Sequence, residues 1–238
     1  MSSLVLVRHG QATLFGGDVD LSPVGEEQAR RLGAYWVKHD AGFDEVYAGS
    51  LKRQVHTAEL VGQAMTSAGL PWSEPVVLDE LREYQVQGDM RERLAELGEH
   101  HPDLTELIQA LEASGDKDGR PSSYWNLFER VMRKWVAGTL NLPGIETWMG
   151  FQRRVNSTID RIRSEPKRGR RVVVFTSGGP IGTITQLALR APDTTALELN
   201  WRVRNCSLTQ FAFTPDRFSL DSFNTIPHLE DPKLWTYR

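Results

Sequence analysis

The period of the apolar positions changes several times along the chain, and each change marks an element. Leu4, Val5, Leu6 and Val7 form an unbroken apolar run. Such a run reads as a strand buried on both faces, as in a parallel sheet covered by helices. It stops at Arg8, His9 and Gly10. From 21 to 37 apolar and small positions recur at helical spacing, with Ser22 as cap and Pro23 in the first turn. Residues 43–48 predict a second strand, and 51–65 a second helix opened by Ser50. Val76, Val77 and Leu78 predict a third strand. Residues 172–175 are the clearest buried strand, running into Thr176, Ser177, Gly178, Gly179 and Pro180 and then a helix to about Arg190. Alternation from 208 to 213 predicts a final strand on a sheet edge.

Between about 89 and 150 the texture differs. The pattern is helical and rich in charge, with Trp125, Trp135 and Trp148 and glycine–proline interruptions. This predicts a helical insertion over the core, with most of its tryptophans packing its own helices and the segment as a whole setting specificity. A helix through Ile159 ends near Pro166. Lys167, Arg168, Gly169, Arg170 and Arg171 then read as a solvated basic turn before a buried strand, not as a nucleic-acid contact. Strands alternating with helices predict an α/β fold. The expected architecture is a three-layer sandwich with a mostly parallel central sheet, helices on both faces and a helical insertion at about 89–150, in one domain over 1–238.

Composition narrows the function classes. A length of 238 residues suits one generous domain. A net charge of −3, from 28 basic and 31 acidic residues, gives no reason to expect a nucleic-acid or anionic-membrane partner. The one cysteine, Cys206, excludes an intramolecular disulfide and a CxxC metal site, and reads as a small core residue. Met1, Ser2 and Ser3 lack the basic start of an export signal, and no stretch approaches the roughly 18 to 20 apolar residues of a membrane span. A cytoplasmic enzyme is the expectation. The exposed edge expected near Leu208 admits a homodimer.

The chemistry concentrates at two strand ends, Arg8-His9-Gly10 and the turn from Thr176 to Pro180, which an open α/β sheet brings to one site. In the second turn, glycines allow close backbone approach and Pro180 suits a first helical position, the makings of an anion cradle. A strand-end histidine alone more often satisfies its own hydrogen bonds. The context favours chemistry. Neutral imidazole is a nucleophile able to accept a phosphoryl group. Arginine forks hold equatorial oxygens, and Arg8 and Arg53 supply them. Glu83, after the third strand, is the candidate acid to protonate a leaving oxygen, with Glu80 the runner-up on spacing. His56 lies three residues past Arg53 on the same helical face and reads as a surface residue. His39, His100 and His101 read as solvated and His228 as a tail residue, none of them catalytic.

The residues from Leu4 to Thr13 resemble the opening motif of the histidine phosphatase superfamily, the phosphoglycerate-mutase-like family. Further segments follow in the family's order: Leu21-Ser22-Pro23-Val24-Gly25 with Gln28-Ala29, then Gly49-Ser50-Leu51-Lys52-Arg53 with Thr57-Ala58. Leu81-Arg82-Glu83 and the tail from Asn224 to Leu229 complete the set. The resemblance implies a phosphoglycerate-mutase-like domain, a phosphohistidine at His9, oxygens held by Arg8 and Arg53, and neither metal nor cofactor. One position departs. Where the family places a second histidine after the late strand, this chain has Ser177, which with Gly178 is left to donate to the phosphoryl group. The expected activity is hydrolysis of a phosphomonoester on a small molecule or a protein, lowered by that change. A pseudophosphatase that binds phosphorylated ligands without turnover stands second. A phosphoglycerate mutase stands third, because 81–88 lacks the arginine–tyrosine–glycine continuation of the mutases.

Overall fold

In the computed structural model, which describes residues 1–13, 19–84, 93–114, 122–140, 142–165 and 167–237, the described strands form one six-stranded sheet of order β3-β2-β4-β1-β5-β6. β1 (Ser2–Arg8), β2 (Glu45–Gly49), β3 (Val76–Leu78) and β4 (Arg171–Thr176) run parallel. β5 (Leu208–Phe213) and β6 (Phe218–Thr225) are antiparallel additions. Leu4 pairs with Val172 and Arg8 with Thr176, so β1 and β4 end at the same level. The residues that follow them, His9 and Ser177, therefore leave the sheet side by side.

The apolar runs are buried on both faces, as parallel strands under helices require. On one face Val7, Val46, Ala48, Val173 and Phe175 pack with Leu32 and Trp36 of α1 (Pro23–Lys38) and Val61 of α2 (Lys52–Ser67). The opposite residues Leu4, Leu6, Val172 and Val174 are equally buried. That side carries α6 (Trp148–Ser164), whose Arg163 lies 4.7 Å over the Phe218 ring of β6, and α7 (Gly178–Leu189), which packs on β1 and β6. The fold is thus the expected α/β sandwich with a mostly parallel sheet.

Several local expectations need correction. β5 is neither final nor an edge: it lies between β1 and β6. β6 escapes sequence reading because Phe218, Leu220 and Phe223 are interspersed with polar residues and none of the strand is fully buried, which is what an outermost strand allows. The reason for a homodimer at Leu208 falls with it. Ser50 does not cap α2; Leu51 holds that position, and Ser50 Oγ donates to Asp79 Oδ1 at 2.6 Å. Pro180 is the third residue of α7, not the first. The basic turn is not wholly solvated. Arg170 is 1% exposed, and its Nε and Nη2 donate to the Glu45 carboxylate at 2.6 and 2.5 Å. His101, expected in solvent, is buried after α3.

By contacts the chain divides into two compact units, Met1–Glu83 with Arg154–Arg238, and Tyr84–Arg153. The second is helical, with α3 (Leu94–His100), α4 (Thr105–Ala113), α5 (Ser122–Val136) and the start of α6. Its core holds Leu97, Leu111, Phe128 and Trp135. The Trp135 indole donates to Glu146 O at 2.6 Å and its ring centre lies 5.2 Å from that of Trp148, so both tryptophans serve packing. The start of the expected insertion, 89–92, lies outside the described residues. α8 (Asp193–Asn200) belongs to the first unit and packs on α7. Among the described residues no helix is long and apolar enough to cross a membrane.

Candidate active site

His9 begins the turn after β1, and its main chain is held on both sides. Its N–H donates to Thr176 O at 2.9 Å, and its carbonyl accepts from Cys206 N and Asn205 Nδ2, each at 3.2 Å. The next residue must be glycine, because a Cβ at Gly10 would lie 2.4 Å from Gly25 O. Gly10 N donates to Thr57 Oγ1 at 3.1 Å, and that hydroxyl donates to Arg53 O at 2.6 Å. Thr57 therefore ties the histidine turn to the first turn of α2.

The imidazole is 6% exposed. Its Nδ1 lies 2.7 Å from Gly10 O. A carbonyl can only accept, so Nδ1 carries the proton and Nε2 keeps its lone pair. Arg53 Nε donates to Nε2 at 3.2 Å, which agrees with that tautomer. Burial first, then the Arg53 and Arg8 charges, hold the His9 pKa well below its ordinary value; the bond to Gly10 opposes them without prevailing. The group is neutral at neutral pH.

Arg8 and Arg53 thus both bear on His9. The anchoring of Arg8 was not foreseen. Its Nη1 donates to Val203 O and to Tyr237 O, the latter at 2.6 Å, so the C-terminal segment holds the guanidinium. Asn205 and Gln28 fix that segment in turn. Asn205 N donates to Thr236 O at 2.8 Å and Gln28 Nε2 to Leu234 O at 2.7 Å, while Gln28 Oε1 accepts from Gln11 N at 2.8 Å.

Glu83 follows a 3₁₀ turn, Asp79–Leu81, and its Oε2 accepts from Gly179 N at 3.0 Å in the first turn of α7. The carboxyl of Glu83 is therefore joined to the same turn that carries Ser177. Ser177 is fully buried and its Oγ accepts from Gln54 Nε2 at 2.7 Å. A Cβ at Gly178 would lie 2.1 Å from Asn200 Oδ1 and would displace that amide. Glu80 offers its carbonyl to Arg154 Nη1 at 2.6 Å. His56 donates from Nδ1 to Asp20 Oδ1 at 2.6 Å, and this bond chiefly keeps the Asp20 pKa low. The Cys206 thiol is buried and its pKa pushed far up by desolvation, as suits a packing residue. Gln54, Thr57 and Thr176 could have been suspected from their places beside Arg53 and Ser177. Asn205, Arg154 and Thr236 left no sequence signal.

The turn after β1 and the first turn of α2 thus meet at one histidine at the carboxyl ends of parallel strands, and the glutamate after β3 is bonded to the turn after β4. The profile of the histidine phosphatase superfamily (branch 1) matches residues 4–137 and 113–226, and the chain belongs to that superfamily. A 2,3-bisphosphoglycerate-dependent phosphoglycerate mutase of Thermobifida fusca is 46% identical over 79 residues, 30% of this chain and 31% of that protein. The chain thus spans about a third of the length of that curated relative. Among solved structures, phosphoserine phosphatase of Entamoeba histolytica in complex with 3-phosphoglyceric acid superposes with TM-score 0.64 at 18% identity, over 96% of this chain and 100% of that one. The alpha-ribazole phosphatase of Shigella flexneri gives TM-score 0.64 at 22% identity, over 94% and 96%. These two likenesses concern the fold.

Proposed function

We propose that the chain hydrolyses phosphomonoesters through a phosphohistidine on Nε2 of His9. The observation that carries this reading is the imidazole itself: buried, neutral, its proton fixed on Nδ1 by Gly10 O, its lone pair beside Arg53. Nε2 attacks phosphorus as the bond to the ester oxygen breaks, and Glu83 gives its proton to that oxygen, releasing an alcohol. Water then attacks phosphorus and gives a proton to the Glu83 carboxylate. The N–P bond breaks, its electron pair returns to Nε2, and inorganic phosphate leaves. Arg8 and Arg53 meet the charge of the transferring group. No metal or cofactor takes part in this reading.

Ser177 stands where the superfamily resemblance calls for a second histidine. A hydroxyl offers one neutral hydrogen bond in place of imidazole. Loss of one well-placed donor costs roughly 10²–10³ in rate, so the enzyme is slow rather than inert. A binding protein without turnover is the second reading, motivated by Ser177 standing where the resemblance calls for a histidine. A mutase is the third; it draws support from the Thermobifida relative over about a third of the chain.

The test is hydrolysis of an aryl phosphate without added metal by the wild-type protein and by His9→Ala. Turnover and an acid-labile phosphoprotein, both lost in His9→Ala, support the phosphatase. Undiminished turnover in His9→Ala removes it. Tight phosphate binding without turnover across a substrate panel favours the binding protein.

A further inference from the structure

Three consecutive carbonyls lead into Glu83, and all three are held. Arg154 of α6 donates from Nη1 to Glu80 O at 2.6 Å and to Arg82 O at 3.0 Å. Between them, Leu81 O accepts from Thr176 Oγ1 at 2.6 Å, with Gln54 Nε2 at 3.4 Å. Thr176 ends β4 and Gln54 lies in the first turn of α2, so Leu81 is pinned to the scaffold that carries Ser177 and Arg53. One anchored carbonyl still lets the peptide planes on either side rotate. The Arg154 guanidinium closes that freedom by bridging the planes before and after Leu81, with a charged donor on each. The side chain issuing from the next residue is Glu83, whose carboxyl also reaches Gly179 N.

We infer that Arg154 is a positioning residue for Glu83, fixing the acid against the leaving oxygen of the substrate; this rests on the phosphatase reading above. Glu83 sits after a short 3₁₀ turn, not within a helix or strand, so its aim depends on such anchors. A proton donor displaced by an ångström loses much of its effect while binding and nucleophile are untouched. Arg154 acts through the loop backbone, and its loss therefore weakens the two steps in which Glu83 gives or takes a proton, of which only the first depends on the leaving group.

The experiment compares the single-turnover rate of phosphohistidine formation, and KM, for a series of phosphate monoesters, from an acidic nitrophenol to a simple alcohol, in the wild-type protein, Arg154→Ala, Arg154→Lys and Glu83→Gln. A nitrophenolate leaves without a proton, whereas an alkoxide needs one. Arg154→Ala is expected to lower the rate of phosphohistidine formation roughly ten- to hundred-fold for alkyl phosphates and to affect the nitrophenyl ester far less. Glu83→Gln gives the same pattern, and Arg154→Lys, which keeps the charge but not the rigid planar fork, falls between. Adding Arg154→Ala to Glu83→Gln costs nothing more, because there is no acid left to misplace. A loss in Arg154→Ala that is uniform over the series, or a double variant far slower than Glu83→Gln, overturns the inference and leaves the phosphatase standing. If Arg154→Ala does not fold, Arg154→Lys carries the same comparison. A wild-type protein inactive over the whole series removes the phosphatase reading, and this inference with it.

Discussion

Arg53 Nε donates to His9 Nε2 at 3.2 Å, so a cation occupies the side of the ring from which a phosphoryl group would be attacked. The contact fixes the ring nitrogen that keeps its lone pair. After burial, the Arg53 charge is the largest influence holding the imidazole neutral. A cation beside imidazole disfavours protonation, so deleting it lets the pKa rise. Arg53→Gln is expected to move the acid limb of the pH–rate profile toward neutral pH and to lower kcat by roughly 10²–10³. The profile of phosphohistidine formation checks both. An acid limb that stays in place would show that burial alone keeps His9 neutral.

His228 gives a pH dependence of stability unconnected with chemistry. Burial lowers its pKa from 6.5 to about 4. The unfolded chain takes up that proton below its ordinary pKa while the folded chain does not, so stability is full above about pH 6.5 and is lost as pH falls toward 4. The difference corresponds to about 3 kcal/mol, with His9 adding loss in the same direction. Urea unfolding at neutral and acid pH should show a smaller acid loss in His228→Leu than in wild type. Equal losses would remove His228 as the cause.

Arg170 and Glu45 form a pair with side chains 1% and 26% exposed, joining the start of β4 to β2. Glu45 also accepts from Tyr47 OH at 3.0 Å. Removing one partner of a buried pair strands the other charge. Arg170→Met should therefore cost about 3–5 kcal/mol, while Arg170→Met with Glu45→Leu should recover most of it. Denaturant midpoints of the three variants decide the matter, and a mild single variant would mean that Glu45 is well hydrated.

How much of this was visible in the sequence follows from where each signal resides. Burial on two faces writes itself into side chains, so Leu4 to Val7 and residues 172–175 were readable as the central strands. Ser22 accepts from Gly25 N at 3.2 Å and caps α1 as its type suggests. β6 pairs through its backbone and mixes apolar with polar residues, and a backbone ladder leaves no trace in residue type. Arg170 looked solvated because its partner Glu45 is 125 positions away. His9, Arg8, Arg53 and Glu83 stood out by chemistry and by order along the chain. Their supports Arg154 and Asn205 act largely on main-chain oxygens, which every residue possesses.

Ser177 offers the sharpest trial of the site, because two of its relationships pull in opposite directions. Its Oγ accepts from Gln54 Nε2 at 2.7 Å in a fully buried place, and Gln54 returns to the main chain by accepting from Leu51 N at 3.1 Å. Ser177→His supplies the imidazole donor that the superfamily resemblance calls for, and should raise kcat by about 10-fold or more if that donor reaches the phosphoryl group. The same change removes the acceptor of Gln54 Nε2, whose remaining contact, Leu81 O at 3.4 Å, is long. Leaving a buried amide unpaired costs about 1–3 kcal/mol, so the variant should be faster and less stable. Replacing Gln54 by Leu in the same chain removes the unpaired group and should restore part of the stability without reversing the rate. Ser177→Ala separates the two roles, since it loses the acceptor and gains no donor. If Ser177→His and Ser177→Ala are equally slow and equally destabilised, Ser177 serves only to hold Gln54, and the phosphoryl group is met by the arginines alone.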